Sequence, residues 1–454
     1  MARCQSLSER GQHQTAIRQC TSVLRSATGA SHAEALFFRA NSRFSMGERE
    51  AALSDINAAI AGGTAAPKAL ALRGAIHLAT GNPGEAVADL DRAIQAGFDD
   101  TRVLGQRADA LLALGEPERA TADLEAIVER SPRDPVALTE LALTLYATGS
   151  LDAARDAADR AVAAGAGYAP AYGVRAAIAA ASGDTERALI DYTAARSAAP
   201  AEAGYGLGRA SALFSAGNSE LALAEVNRVL EIDPALEPAL ALRADILEQS
   251  GEFEAALADL EALDAGDGPS VLRRARLALR TGQIARADEA YTEAISKLPA
   301  DAAILFERGQ ARTLSGRSAD AASDLTAALE MDPGLAGSGI VLMRGRARFA
   351  AGDLEGAAAD FTAEIDRTPD AAGPRIWLVR ALSDLGDQES AERSARALVA
   401  LEPGRPSSHA VLGDVLLRKA DLVGGRAEHQ RALALDGAYE PSLRRLEELG
   451  PSPN

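Results

Sequence analysis

The sequence predicts an all-α solenoid of about twelve helix-turn-helix repeats, and three observations support this prediction. A glycine recurs at a nearly constant spacing, an alanine stands five residues after each glycine, and a small residue usually stands seven residues before it. A fixed period of this kind is the sequence signature of repeat architectures, in which each unit packs mainly against its neighbours. The repetition therefore overrides the length of 454 residues, which alone would suggest about three globular domains.

The recurring glycines set the period of the repeat. The first six intervals are equal, the next is three positions shorter, and one later interval is two positions longer, with the slips falling near residues 264–270 and 334–339. The glycines are Gly47, Gly81, Gly115, Gly149, Gly183, Gly217, Gly251, Gly282, Gly316, Gly352 and Gly386. The alanines are Ala52, Ala86, Ala120, Ala154, Ala188, Ala222, Ala256, Ala287, Ala321, Ala357 and Ala391. Gly11 with Ala16 extends the pattern backwards, and Ala420 with Gly425 extends it forwards with a blurred match.

Small residues and prolines mark the two helices of each unit. A small residue on each side of a hairpin lets two helices approach closely. The residues seven positions before the turn are Ala40, Gly74, Ala108, Ala142, Ala176, Ala210, Ala244, Ala275, Gly309, Gly345 and Gly413. Two stretches, each three to four helical turns long and with apolar positions at helical spacing, lie between these markers. Proline starts a helix but cannot continue one, and many second stretches end at one: Pro132, Pro200, Pro234, Pro299, Pro333, Pro369 and Pro403.

The ends of the chain are predicted to carry caps, because a terminal repeat has only one neighbour. We expect a degenerate N-terminal capping hairpin over residues 1–32, twelve repeats over residues 33–437, and a C-terminal capping helix over residues 438–450. Residues 451–454 form a tail. In the capping helix, Leu443, Leu446 and Leu449 are expected to cover the last repeat.

An arginine and an acid recur together at a constant spacing, across each turn. Where the arginine is replaced by Leu141 or Leu378, the acid is replaced by Ala157 or Ser394, so the two positions change together. We infer that each guanidinium donates to the carboxylate across its hairpin and fixes the register, because eight copies indicate architecture and not one catalytic site. The pairs are Arg39–Asp55, Arg73–Asp89, Arg107–Asp123, Arg175–Asp191, Arg209–Glu225, Arg243–Asp259, Arg308–Asp324 and Arg344–Asp360. Arg274 opposite Ala290 and Leu412 opposite Glu428 are exceptions.

The repeat resembles the tetratricopeptide repeat family over nearly the whole chain. The resemblance rests on the 34-residue period, the small residues, the turn glycine and the closing proline, and residues 70–94 match the family closely. Large aromatic residues are often missing from the first helix, and the unit around Ala420 lacks its turn glycine. The resemblance implies a right-handed superhelix whose first helices line the concave side, where a partner peptide is bound. It also implies a scaffold function without catalysis.

Two positions on each first helix are the family's ligand-binding positions. Chaperone-binding relatives place a lysine and an asparagine there to hold a C-terminal carboxylate. That clamp is absent from the early units, which have Phe37 with Asn41, Ala71 with Ala75, Gly105 with Asp109, and Thr139 with Leu143. Four later units have Leu272 with Arg276, Phe306 with Gln310, Leu342 with Arg346, and Ile376 with Arg380, accompanied by Arg273, Arg280 and Trp377. Residues four apart share a helix face, so these residues predict a groove for a peptide with apolar and acidic groups. The alternative is that the apolar residues pack between repeats while the arginines are solvated.

The two cysteines, Cys4 and Cys20, are predicted to face each other across the first hairpin. They either form a disulfide that closes the end of the solenoid or remain two small buried thiols. The start of the chain also resembles the mature ends of exported bacterial repeat proteins with a similar cysteine pair and arginine–glycine repeats. That resemblance implies a periplasmic protein whose leader is missing from this numbering, because disulfides persist in oxidising compartments. The alternative is a cytoplasmic protein.

Composition and motifs argue against several other functions. The net charge of −18 disfavours nucleic acid and anionic membrane surfaces as partners, and no apolar stretch reaches the length of a membrane span. The histidines His13, His32, His77, His409 and His429 lack the spacing of metal ligands, so no metal or cofactor is expected. The glycine-rich run at residues 204–208 superficially resembles a dinucleotide loop, but it has no preceding strand and falls within a predicted first helix.

The function that the sequence favours is a protein-interaction scaffold or adaptor that has no catalytic residues. Two alternatives remain open. One is a structural protein whose repeats associate with copies of themselves, and the other is the accessory chain of an enzyme complex. Both stay open because a fold by itself does not determine the pathway in which a protein acts. Neither the partner nor the oligomeric state follows from the sequence.

Overall fold

A computed structural model of the chain describes residues 1–63, 67–263 and 266–450. Within these ranges the chain contains 27 α-helices, one short 3₁₀ helix and no strand. Consecutive helices pack against each other as pairs. The all-α fold of repeated helical pairs is thus confirmed.

The helices follow one another in pairs from the start of the chain. The first pair is α1 (Ala2–Glu9) and α2 (His13–Leu24). The first helices of the next twelve pairs are α3 (Gly29–Ser45), α5 (Pro67–Ala79), α7 (Thr101–Ala113), α9 (Pro135–Ala147), α11 (Ala169–Ala181), α13 (Ala203–Ser215), α15 (Glu237–Ser250), α17 (Gly268–Arg280), α19 (Ala302–Leu314), α21 (Ile340–Ala351), α23 (Ala372–Leu385) and α25 (Pro406–Arg418).

The second helices of these twelve pairs pack antiparallel to the first, across the glycine turns. They are α4 (Arg49–Ala61), α6 (Pro83–Gln95), α8 (Pro117–Arg130), α10 (Leu151–Ala164), α12 (Thr185–Ala198), α14 (Ser219–Ile232), α16 (Phe253–Ala262), α18 (Ile284–Lys297), α20 (Ser318–Met331), α22 (Leu354–Arg367), α24 (Gln388–Leu401) and α26 (Leu422–Leu435). A last helix, α27 (Glu440–Glu448), follows, and the 3₁₀ helix Pro333–Ser338 occupies the lengthened connection after α20.

The chain divides into two compact units, Met1–Leu242 and Arg243–Asn454, and each is described by itself. The boundary between the two units falls within α15. It does not test the predicted division into caps and repeats, which stays a prediction. The predicted tail, residues 451–454, lies outside the described residues, as do residues 264 and 265 of the shortened connection. Of the helices that the structure describes, none combines the length and the apolar character needed to cross a bilayer.

The turn glycines adopt a backbone conformation that other residues rarely take. Gly81, for example, has a φ of 76°, in the left-handed region where a Cβ atom is strained. In the last pair Ala420 takes the corresponding position with a φ of 63°, and no other described non-glycine residue has a positive φ. This explains why the repeat is blurred at residue 420 without losing its turn.

Small residues allow the two helices of each pair to approach closely. A Cβ atom added to Gly74 would lie 2.7 Å from Cγ of Leu90, and one added to Gly345 would lie 2.7 Å from Cε1 of Phe361. Ala86, on the facing helix of the Gly74 hairpin, is fully buried. The core is therefore a succession of small contacts between helices, into which a few large side chains such as Phe361 fit.

The C-terminal helix packs differently from the prediction. Leu443 is 40% exposed, so its predicted role in covering the last repeat is wrong, whereas Leu446 and Leu449 are half-buried. Ser442 is the buried residue of α27, and its hydroxyl lies 3.1 Å from Nδ1 of the buried His429. Ser442 therefore takes the buried place that we expected for Leu443, and its contact with His429 accompanies the half-buried Leu446 and Leu449.

Candidate functional site

Each of the eight predicted arginine–carboxylate pairs is present in the structure, with nitrogen–oxygen distances of 2.5–2.8 Å. Seven of the arginines donate through both Nε and Nη2 to the two oxygens of one aspartate, as Arg107 does to Asp123. In the eighth pair, Arg209 donates to Glu225 through Nη1. The acidic side chains are at most 7% exposed. These bidentate contacts fix the register of each hairpin.

The same arginines also reach back to the preceding second helix, a contact that we did not predict. Nη1 of Arg107 donates to Asp91 over 2.6 Å, and Nη1 of Arg175 donates to Asp159 over 3.0 Å. Equivalent contacts join Arg73 to Asn57 and Arg308 to Thr292. The hydrogen bond to Asp123, opposed by burial and aided by Asp91, raises the pKa of Arg107. The sequence signal that could have revealed this link is the polar residue that stands two positions after the acid position of the preceding repeat.

The two predicted exceptions have different environments. Nε of Arg274 is buried without a hydrogen-bond partner among the described residues. Glu428, which faces Leu412, instead lies 2.7 Å from Nδ1 of His409 on the same first helix as Leu412. In the last hairpin the acid therefore contacts His409 across the turn and Arg431 on its own helix.

The cysteines form the predicted pair. Cys4 and Cys20 are joined by a disulfide, their α-carbons are 5.0 Å apart, and both side chains are fully buried. The bond links α1 to α2 at the N-terminal end of the unit Met1–Leu242.

The predicted groove residues lie within the unit Arg243–Asn454, where the first helices α17, α19 and α21 border two adjoining cavities. The first, which we call the polar cavity, has a volume of 540 Å³, and the second, the apolar cavity, has a volume of 660 Å³. Leu279 and Gln310 line both cavities and join them. Of the predicted residues, these cavities include Arg273, Arg276, Arg280, Gln310, Leu342 and Arg346.

The remaining predicted groove residues have other positions. Phe306 packs against the core cluster that contains Leu325 and Ile340, so it follows the alternative of packing between repeats. Leu272 and Ile376 are half-buried and do not line either cavity. The lining also contains residues that we did not predict: Tyr291, Glu307, Thr313, Leu314 and Met343. Leu279 and Thr313 stand seven residues, or two helical turns, after Leu272 and Phe306, a spacing that could have revealed them.

Two arginines among the predicted groove residues are already neutralised within the unit. Arg276 donates through Nε to Glu307 over 2.9 Å, and this bond raises the pKa of Arg276 against the effect of burial. Arg273 contacts Asp245 and Glu248, each at 2.6 Å. The positive charge available to a ligand is therefore smaller at α17 than the sequence indicated.

Arg346 and Arg380 have a different environment, since both lie over the ring of Trp377. Their guanidinium carbons are 5.2 and 5.0 Å from the ring centroid. Trp377 is itself held by Phe349, with ring centroids 5.6 Å apart, and by Phe361, at 6.2 Å. Both arginines are exposed, and no described carboxylate forms an ion pair with either one. Arg346 and Arg380 are therefore not neutralised by a carboxylate of the described residues, unlike Arg273 and Arg276.

A buried hydroxyl lies at the polar cavity. Tyr291 on α18 is fully buried, lines the cavity and has no hydrogen-bond partner for its hydroxyl among the described residues. Burial raises the pKa of Tyr291, and the nearby Glu307 carboxylate raises it further. The neutral phenol is therefore a hydrogen-bond donor at the wall of the cavity.

In the parts of the chain that the structure describes, no group of three histidine, cysteine, aspartate or glutamate side chains is placed to hold a metal ion. The glycine-rich run at residues 204–208 lies inside α13, where it forms part of a regular helix. The repeated ion pairs stabilise hairpins and do not converge on one cleft.

Helical pairs with a groove along their first helices define a class of α-helical repeat protein whose open surface binds other proteins. Tetratricopeptide repeats, the family that the sequence resembles, match residues 39–100, 106–169 and 272–336. The chain therefore carries tetratricopeptide repeats, as predicted. A comparison with curated proteins finds no match.

Several solved structures of repeat proteins are similar to parts of this chain. A tetratricopeptide repeat protein from Parabacteroides merdae is 20% identical, with 51% of this chain and 93% of that chain covered and a TM-score of 0.37. The C-terminal part of a repeat protein from Cytophaga hutchinsonii is 14% identical, with 52% and 97% covered and a TM-score of 0.42. YrrB, described as a repeat protein with an unusual peptide-binding site, is 18% identical, with 38% and 91% covered and a TM-score of 0.33.

Proposed function

We propose that this chain is a non-catalytic scaffold that binds an extended segment of a partner protein along α17, α19 and α21. The observation that carries the proposal is that the polar and apolar cavities adjoin, since Leu279 and Gln310 line both of them. Together the cavities form a groove open to solvent, which suits a peptide better than a small molecule.

The chemistry of the groove indicates what such a segment contains. Leu279, Leu342 and Met343 line the apolar cavity, and Leu314 at its rim is 67% exposed. Exposed leucines beside a cavity are energetically unfavourable in water and provide contact area for an apolar side chain of a ligand. Arg346 lines the same cavity and has no carboxylate partner among the described residues. We therefore expect a partner segment with an apolar anchor and an acidic group.

The test is selection of peptides from a displayed random library by the purified full-length chain. Selected peptides are then labelled, and their affinities are measured by fluorescence anisotropy. Leu314→Glu places a charge at the rim of the apolar cavity, so we expect affinity to fall on the order of tenfold or more. The residue is exposed, so folding should be unaffected.

Leu221→Glu is the matched control. Leu221 is a 59% exposed leucine on α14, a second helix of the other unit. Peptides should bind this variant as they bind the unaltered chain. Equal binding by Leu314→Glu and the unaltered chain would show that the groove is not the binding surface.

We also infer that the chain functions in an oxidising compartment such as the periplasm. The disulfide between Cys4 and Cys20 supports this location, because reducing compartments keep thiols free. Alkylation of thiols at the moment of cell lysis, followed by mass determination, tests it. An alkylated Cys4 and Cys20 would contradict the location.

A further inference from the structure

Two repeats of the unit Arg243–Asn454 contain a pair of arginines that share one carboxylate. Two arginines one helical turn apart donate to one buried aspartate, with nitrogen–oxygen distances of 2.5–2.9 Å. The sets are Arg308 and Arg312 on Asp324, and Arg344 and Arg348 on Asp360. A carboxylate oxygen accepts more than one hydrogen bond, so two guanidiniums satisfy both oxygens.

Arg346 on α21 and Arg380 on α23 differ from these two sets, because neither has a carboxylate partner among the described residues. Each guanidinium lies over the Trp377 ring, so the two are held close to the same side chain. Both are exposed, and neither forms an ion pair with any carboxylate in the described ranges. In a chain of net charge −18, these two cations near one ring are available to an acidic group of a partner.

We propose that Arg346 and Arg380 form a carboxylate-binding subsite that takes an aspartate or glutamate side chain of the partner segment. The proposal rests on the function proposed above and names the group that this part of the groove recognises. Arg346 also lines the apolar cavity, so the acidic residue lies close to the apolar residue that enters that cavity. Recognition therefore requires an acidic and an apolar side chain near each other in the segment.

Trp377 acts as the positioning residue of this subsite. A guanidinium held over an indole ring loses less conformational freedom when it binds, because part of that freedom is already lost. Trp377 packs against Phe349 and Phe361, so the ring is itself fixed. By contrast, Arg276 on α17 is bound to Glu307, and a ligand carboxylate would have to compete with that contact.

A carboxylate fits these observations better than a polyanion does. The overall charge of −18 repels a chain of phosphates, and Arg273 and Arg276 of the groove are already paired with carboxylates of this chain. A single carboxylate needs only the local pair of arginines.

The experiment compares two matched sets of synthetic peptides by fluorescence anisotropy with the full-length chain. Both sets carry the apolar residue of the selected peptides, an acetylated start and an amidated end, and they differ only by aspartate or glutamate in place of asparagine or glutamine. We expect the acidic peptides to bind on the order of tenfold more tightly than their amide counterparts. In the Arg346→Gln/Arg380→Gln variant this preference should disappear, while the amide peptides bind as before.

Two further variants sharpen the result. Trp377→Leu should reduce the acidic preference while leaving amide peptides bound, since the arginines remain but lose their ring. Arg133→Gln, an exposed arginine between α8 and α9, should leave the preference unchanged.

The outcomes separate this inference from the proposed function. Peptide binding without any acidic preference would overturn the subsite and leave the scaffold function standing. A preference that persists in the double arginine variant would also overturn it. Absence of any selected peptide would contradict both proposals.

Discussion

Nη1 of Arg107 donates to Oδ1 of Asp91 over 2.6 Å, and this hydrogen bond joins one helical pair to the pair before it. The other edge of the same guanidinium holds Asp123 within its own hairpin. One arginine thus links three helices, α6, α7 and α8. The link recurs in other repeats, so in those repeats one side chain contributes both to the register of the hairpin and to its stacking on the previous one.

The first prediction concerns this arginine. Asp123→Asn removes a carboxylate that is 4% exposed and leaves the Arg107 guanidinium with Asp91 as its charged partner. We expect the free energy of unfolding to fall by about 1–3 kcal/mol, since two buried hydrogen bonds lose their charged acceptor. Urea unfolding followed by circular dichroism measures the change.

The chain provides a matched control for that variant. Arg107→Leu combined with Asp123→Ala copies Leu141 and Ala157, the repeat that naturally lacks the pair. We expect the double variant to be more stable than Asp123→Asn, because it leaves no buried edge of a guanidinium without its carboxylate. A double variant less stable than the single one would show that the ion pair itself is a major source of stability.

The second prediction concerns the disulfide at the start of the chain. Cys4→Ser together with Cys20→Ser opens a loop closed over 16 residues, which should destabilise the first hairpin by about 3 kcal/mol. Hydrogen exchange monitored by mass spectrometry should show faster exchange in α1 and unchanged exchange in α13. Equal protection of α1 in both proteins would mean that packing alone holds the hairpin.

The third prediction uses the same substitution at two glycines. Gly345→Ala places a Cβ atom 2.7 Å from Cε1 of Phe361, so we expect a loss of about 1–3 kcal/mol from overpacking. In Gly105→Ala the nearest side-chain atom, Cδ1 of Ile127, is 3.8 Å away. That variant should gain about 0.5–1 kcal/mol, because alanine favours helix. Thermal unfolding measures both, and a Gly345→Ala variant at least as stable as the unaltered chain would contradict the close helix contact at residue 345.

The fourth prediction is a pH dependence at the C-terminal helix. Burial raises the pKa of Asp414, but contacts with His429 and Arg445 outweigh burial and lower it below its ordinary value of 3.8. Because the pKa of Asp414 is lower in the folded state, its stabilising contribution is complete above the ordinary pKa of 3.8. The contribution is lost as the pH falls through the lowered pKa of the folded state. We therefore expect protection of α27 amides to decrease between about pH 5 and about pH 3.

Asp414→Asn is the control for the pH dependence. It should weaken α27 at both pH values and remove the difference between them. Glu448→Gln, which alters the other carboxylate near Arg445, should retain the dependence, since the contact between Arg445 and Asp414 at 2.9 Å remains. An unchanged dependence in Asp414→Asn would assign it to another group.

Much of the fold follows from the sequence, because the contacts that build a hairpin recur at fixed spacings. Gly74 faces Leu90, and Arg73 faces Asp89, at distances along the chain that are the same in one repeat after another. The C-terminal helix lacks this repetition. Leu443 was therefore misassigned, since the phase of a single short helix has no second copy to confirm it.

The sequence by itself determined the helical pairs, their turns and the arginine–acid partners, because each of these depends on residues within about half a repeat of one another. Only the tertiary structure decided which groove arginines are free to bind a ligand. Arg276 and Glu307 lie on neighbouring first helices, nearly a full repeat apart in the sequence, and their contact depends on how one helix packs beside the next. The position of Arg346 and Arg380 over Trp377 likewise arises from side chains on two helices, whose relative rotation no spacing along the chain specifies.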